Sequence, residues 1–176
     1  QLQEAEQSLH TTIELNPDYA EAHLNLGSIL IDLGKSQQAE ISIRKALELN
    51  PDLAEAHSNL GIILKDLGKL QEAENSYRKA IELNPHFANA HLNLGNTLRD
   101  LGKLQDAELS YRKAIEIKPD FADAHSNLGN ILRDIGKLKE AELSYRKAIE
   151  LDPNFANAYS NLGNILRDIG KLKEAE

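Results

Sequence analysis

Residues 51–84 read PDLAEAHSNLGIILKDLGKLQEAENSYRKAIELN, and this stretch decides the fold. Pro51 lacks an N–H and restricts the residue before it, so a preceding helix must stop there. Asp52 stands three residues before Glu55, the spacing of a capping box, which predicts the start of a new helix. Ala56, Leu60, Ile63, Leu64 and Leu67 then recur on one face at helical spacing. Gly68 ends that helix as a left-handed C-cap residue, followed by Lys69. Leu70, Ala73, Tyr77, Ala80, Ile81 and Leu83 mark the core side of a second helix.

The same unit recurs along the chain. All five prolines (Pro17, Pro51, Pro85, Pro119 and Pro153) are 34 residues apart. The ten glycines form two series at that spacing, one through Gly27, Gly61, Gly95, Gly129 and Gly163, the other through Gly34, Gly68, Gly102, Gly136 and Gly170. A fixed period of this length is the mark of a repeat architecture, in which each unit buries its apolar face against its neighbours. Asp18 and Glu21 repeat the capping pair, whereas His86, Asp120 and Asn154 stand at that position in later units. Mid-helix Gly61 costs about 0.5–1 kcal/mol relative to Ala. Its retention predicts a close approach of two helix backbones, with Ala73 and Ala80 as the matching small surface and Leu60, Leu64 and Tyr77 filling the space beside it.

Composition agrees with an all-helical chain. Aromatic residues are 5% and charged residues 27%; Val, Trp, Met and Cys are absent, and the good helix formers Leu, Ala, Glu, Lys and Arg dominate. A sheet would need β-branched and aromatic residues. Without Cys there is no disulfide and no thiolate metal site. No stretch approaches the roughly 20 apolar residues of a membrane span, and no secretory leader is visible, so the expected setting is cytoplasmic, away from membranes. The net charge of −8 disfavours phosphate backbones and favours partners that are neutral or basic at the contact.

The signature Leu60, Gly61, Leu64, Ala73, Tyr77, Ala80, Pro85 returns as Leu94, Gly95, Leu98, Ala107, Tyr111, Ala114, Pro119. Ile43 takes the place of Tyr77, Tyr111 and Tyr145 in the first unit. On these positions the chain resembles the tetratricopeptide repeat family over its whole length. The resemblance implies a right-handed all-α solenoid of antiparallel helix pairs with a concave binding face. We expect one array: a second helix of a partial unit and its turn over residues 1–19, full units over 20–53, 54–87, 88–121 and 122–155, and a partial unit over 156–176 that begins a second helix. No polar capping helix is evident at the C-terminal end, which suggests a piece of a longer array or end-to-end self-association through the apolar ends.

In the family the first helix of each unit lines the groove. The most regular polar row there is Asn25, Asn59, Asn93, Asn127 and Asn161. Asn is up to about 0.7 kcal/mol worse than Ala in a helix, and its amide matches the donors and acceptor of an extended peptide backbone. The alternative is that each Asn bonds a neighbouring helix and stiffens the array, or that near-copy repeats keep it by duplication: residues 122–142 and 156–176 differ at two positions only. The stretches His57-Ser58-Asn59-Leu60 and His125-Ser126-Asn127-Leu128 make the row similar to the asparagine ladder in the tetratricopeptide arm of O-GlcNAc transferases. That implies sequence-tolerant peptide binding and leaves open the substrate-recruiting arm of a larger enzyme. It does not by itself imply glycosyl transfer, since these 176 residues read as repeats and not as a catalytic domain. Further along the groove lie Asn96, Asn130 and Asn164, then Arg99, Arg133 and Arg167, followed by Asp100, Asp134 and Asp168. The Arg side chains suit ligand carboxylates or pair with the adjacent Asp. The Lys positions of chaperone-tail binders hold Leu24, Ser58, Leu92, Ser126 and Ser160 here, which argues against that ligand class.

Other constellations read as structural. His23, His57, His91 and His125 sit on successive units at least a helix-packing distance apart, about 8–10 Å, too far to share a metal. A core or groove-edge packing role suits them, with Tyr159 in their place in the last unit. Arg44-Lys45, Arg78-Lys79, Arg112-Lys113 and Arg146-Lys147 have Glu40, Glu74, Glu108 and Glu142 four residues before each Arg, a solvated salt-bridged face and not a nucleic-acid patch. No nucleophile–base–orienter set and no phosphate loop can be assembled. The expectation is a non-catalytic scaffold without cofactor or metal, holding a protein or extended peptide.

Overall fold

The computed structural model describes residues 1–170. Among them lie ten α-helices and no strand: α1 (Leu2–Leu15), α2 (Ala20–Asp32), α3 (Ser36–Leu49), α4 (Ala54–Asp66), α5 (Leu70–Leu83), α6 (Ala88–Asp100), α7 (Leu104–Ile117), α8 (Ala122–Asp134), α9 (Leu138–Leu151) and α10 (Ala156–Asp168). The start of a further helix expected near the C-terminus falls outside the described residues. The chain divides into two compact units, Gln1–His86 with α1 to α5, and Phe87–Glu176 with α6 to α10.

Each unit is a stack of helix pairs. In the first, α2 packs on α3 and α4 on α5, while α1 meets α2 and α3 meets α4. In the second, α6 packs on α7 and α8 on α9, with α7 against α8 and α9 against α10. The first helices of successive pairs also come within 8 Å, α2 to α4 in one unit, α6 to α8 and α8 to α10 in the other. The second helices do not approach one another in this way. Each stack therefore bends toward its first helices, which form its concave side.

Within a pair the turn is a Schellman motif. Gly68 has φ 74°, its N–H donates to the Lys65 carbonyl at 2.9 Å, and the Lys69 N–H donates to the Leu64 carbonyl at 2.8 Å. Gly34, Gly102, Gly136 and Gly170 take the same left-handed conformation.

Between pairs the geometry departs from the capping-box expectation. The N-cap residue of α4 is Leu53, with no side-chain cap bond. The polar closure comes earlier, from the residue before proline: the Asp52 N–H donates to Asn50 Oδ1 at 3.1 Å, the His86 N–H to Asn84 Oδ1 at 3.1 Å, and the Asn154 N–H to Asp152 Oδ1 at 2.9 Å. A short Asx side chain bonding the backbone two residues on makes this turn. Lys118 replaces that residue once, and its ammonium sits 4.7 Å from the Phe121 ring centroid.

The core of each pair is small residues around one large one. Ala73, Tyr77 and Ala80 are at most 1% exposed, as are Ala107, Tyr111 and Ala114, and Ala141, Tyr145 and Ala148. The mid-helix glycines Gly61, Gly95 and Gly129 make room for these rings. A Cβ on Gly61 would stand 2.6 Å from Tyr77 Cε1, and one on Gly129 2.7 Å from Tyr145 Cε1. Gly27 meets Ile43 in the same way. Burying a large side chain contributes about 1.5–3 kcal/mol, which exceeds the propensity cost of the glycine.

Charged side chains cover the outer helices. Arg44 Nη2 lies 2.7 Å from Glu40, Arg112 Nη2 2.8 Å from Glu108 and Arg146 Nη2 3.1 Å from Glu142, all four residues apart. The lysines of the basic doublets pair forward: Lys45, Lys79, Lys113 and Lys147 meet the Glu three residues on, at 2.7–3.2 Å. Lys35 reaches Glu6 of α1 at 2.8 Å, and Lys137 reaches Glu108 of α7 at 3.0 Å. Turn lysines thus tie one pair to the helix before it.

Candidate functional site

The concave side of the second unit is built from α6, α8 and α10, and it carries most of the candidate residues. Asn93, Asn127 and Asn161 are half-buried there, as are Asn96, Asn130 and Asn164. The two rows are joined by hydrogen bonds. Asn127 Nδ2 donates to Asn96 Oδ1 at 3.1 Å, and Asn161 Nδ2 donates to Asn130 Oδ1 at 3.1 Å. Each bond runs from one first helix to the preceding one.

The receiving oxygens have a second donor. Tyr111 OH donates to Asn96 Oδ1 at 2.9 Å, and Tyr145 OH donates to Asn130 Oδ1 at 2.8 Å. The ring of Tyr111 crosses over Gly95, the residue next to Asn96, which brings its hydroxyl to the amide. Burial raises both phenols to about 12; for Tyr111 the Arg99 charge opposes this and Asp100 reinforces it, with Arg133 and Asp134 in those roles for Tyr145. Both hydroxyls stay protonated donors at neutral pH.

The donor set leaves a definite remainder. The Asn96 and Asn130 carbonyl oxygens are each shared by two donors, and their NH2 groups take no part in these bonds. Asn127 and Asn161 each use one N–H and keep the other, with the carbonyl oxygen as an acceptor. Asn127 and Asn161 therefore bond a neighbouring helix, one of the two alternatives for the row, while retaining hydrogen-bonding groups on half-buried residues.

The first unit repeats this in part. Asn25 is exposed, and Asn59 Nδ2 donates to Ser28 Oγ at 2.9 Å, whose hydroxyl donates to the Leu24 carbonyl at 3.1 Å. Ser28 and Ile62 hold the places of Asn96 and Asn130.

The Arg–Asp stripes are internally paired. Arg99 lies 3.2 Å from Asp100, Arg133 3.0 Å from Asp134 and Arg167 3.6 Å from Asp168, at the C-terminal ends of α6, α8 and α10. The carboxylates are exposed. The histidine row belongs to the turns. Nε2 of His23 bonds the Pro17 carbonyl at 2.8 Å, His57 that of Pro51 at 2.9 Å and His125 that of Pro119 at 3.0 Å.

Sequence reasoning missed the tyrosine hydroxyls, which it assigned to the core alone. A signal existed: Asn96 and Tyr111 are 15 residues apart, as are Asn130 and Tyr145, while Tyr77 has Ile62 at that offset. An open pocket of about 470 Å³ between α7, α8 and α9 contains none of the candidate residues. Its cations are already engaged, Arg112 with Glu108 and Glu140 and Lys147 with Glu150. Among the described residues no acidic, His or Cys cluster suits a metal, and no helix is long and apolar enough to cross a membrane.

Residues 20–53 and 54–87 each match a tetratricopeptide repeat model, residues 76–108 match another, and residues 95–132 and 129–170 match a TPR repeat model. No curated protein matches the chain significantly in sequence. Solved structures do match. MamA is 29% identical over 86% of this chain and 88% of its own, with a TM-score of 0.78. YrrB, described as a TPR protein with an unusual peptide-binding site, is 24% identical over 95% of this chain and 86% of its own, with a TM-score of 0.79. PilF of Pseudomonas aeruginosa is 24% identical over 89% of this chain and 71% of its own, with a TM-score of 0.82.

Proposed function

The chain belongs to the tetratricopeptide repeat family of protein-interaction scaffolds, and from that membership we propose that its concave side holds an extended peptide segment without catalysing a reaction. The groove asparagines grip the backbone of that segment, and the Arg99–Asp100, Arg133–Asp134 and Arg167–Asp168 pairs border it and contact its polar side chains.

One observation supports this reading above the others. Asn127 and Asn161 are each held by one N–H to the preceding first helix, while the second N–H and the carbonyl oxygen stay available. A held amide loses little rotamer freedom on binding, which lowers the entropic cost of association. A row of side-chain amide donors and acceptors suits a partner recognised by its backbone. The partner is a protein and not a nucleic acid, because the basic doublets are engaged by Glu and the net charge is −8.

The test is selection of random-sequence dodecapeptides on the immobilised protein, followed by fluorescence anisotropy of the enriched peptides. Replacing Asn93, Asn127 and Asn161 together by Ala is expected to weaken binding about tenfold or more, since two or three hydrogen bonds of about 0.5–1.5 kcal/mol each are lost. Helical circular dichroism should be retained, because Ala is the better helix former. Undiminished affinity in the triple variant would remove the amides from the binding role.

A further inference from the structure

We propose that Tyr111 and Tyr145 are positioning residues of the groove, whose hydroxyls fix the orientation of the Asn96 and Asn130 amides and so set the order of donors and acceptors offered to a bound backbone. The proposal rests on the peptide-binding reading and names a device within that same site.

A side-chain amide has two faces that exchange by a half-turn about its last torsion. One orientation presents the oxygen outward, the other the NH2. Two donors converge on Asn96 Oδ1, Tyr111 OH at 2.9 Å from the core side and Asn127 Nδ2 at 3.1 Å from the next first helix. Turning the amide over would set NH2 against NH2 at Asn127. Asn130 is held in the same way by Tyr145 at 2.8 Å and Asn161 at 3.1 Å. The NH2 groups of Asn96 and Asn130 are thereby reserved as donors, and Asn127 and Asn161 keep their oxygens as acceptors. On α8 the Asn130 NH2 is then a donor and the Asn127 oxygen an acceptor, the two kinds of group that a peptide backbone requires.

The tyrosines can do this because they are packed in place. Tyr111 and Tyr145 are fully buried, and each ring lies on a glycine that leaves room for nothing more. In the first unit Ile43 stands where Tyr111 does, and Ile62 where Asn96 does, so the device belongs to the second unit.

The experiment uses the full chain and the double variant Tyr111→Phe/Tyr145→Phe, which keeps both rings over their glycines. The probe is the pool of random-sequence dodecapeptides enriched on the wild type. Side-chain amide signals of Asn96 and Asn130 in 15N-resolved NMR should shift and exchange faster with solvent in the variant, while backbone amide signals of α6 to α9 stay in place. Affinity for the enriched peptides should fall about fivefold to tenfold. Unaltered side-chain amide signals would overturn the proposal, and so would unaltered affinity once those signals have changed. A pool from which nothing enriches on the wild type would sink the peptide reading and this proposal with it; enrichment with an unimpaired variant would sink this proposal alone.

Discussion

The ring of Tyr111 lies so close to Gly95 that a methyl group on the glycine would stand 2.6 Å from the ring's Cε1. The ring has nowhere to go, because it is fully buried and its hydroxyl is tied to Asn96. Gly95→Ala should therefore destabilise the protein. Overpacking costs about 1–3 kcal/mol, against about 0.5–1 kcal/mol gained in helix propensity. Urea denaturation should show a lower midpoint, with part of the loss recovered when Tyr111→Leu is added. A midpoint above the wild type would refute the packing account.

Gly136 offers a contrast. It has φ 81°, and a Cβ there would meet nothing within 4 Å. Gly136→Ala should cost about 1–2 kcal/mol from the left-handed backbone alone. Unlike Gly95→Ala, it should not be relieved by shrinking a neighbouring side chain, and thermal melts of both single and double variants would separate the two mechanisms.

Glu108 sits between two cations, with Arg112 at 2.8 Å and Lys137 at 3.0 Å. Burial pushes its carboxyl up, but the hydrogen bonds from Arg112 and Lys137 outweigh that and leave it below the usual range. A lowered native pKa means the unfolded state binds the proton more readily, so this stabilisation is complete above the unfolded value of about 4.3 and is lost as pH falls through the native one. Glu40 is lowered chiefly by its hydrogen bond from Arg44. Stability should decline on acidification below about pH 4.5, and Glu108→Gln should flatten that decline while lowering the melting temperature at neutral pH. A wild-type acid profile unchanged in the variant would count against it.

Ile62 can be made to test the tyrosine device by gain. Tyr77 follows it by 15 residues, the offset of Asn96 and Tyr111, and carries an otherwise similar ring over Gly61. Ile62→Asn should place a new amide against the Tyr77 hydroxyl at a stability cost under about 1.5 kcal/mol, since residue 62 is only half-buried. Addition of Tyr77→Phe should shift that amide's NMR signal. Indifference of the signal to the hydroxyl would show that offset alone does not assemble the pair.

Sequence by itself determined what depends on near neighbours. A left-handed glycine after each first helix, a proline between pairs and apolar residues three and four apart act over a single helical turn, and Gly68, Pro51 and Leu64 stand where those rules place them. The glutamates four residues before Arg44, Arg78, Arg112 and Arg146 pair as local spacing dictates. The tertiary structure decided what depends on distant partners. Asp52 lies outside the helix, which starts at Ala54, and its N–H is taken by Asn50. Gly61 faces the Tyr77 ring, and the oxygen of Asn96 is taken by residues 15 and 31 positions away. Which side chains meet across such separations depends on how one helix pair is rotated and shifted on the next, and that offset is set by the packing of rings, alanines and glycines together, not by any local pattern.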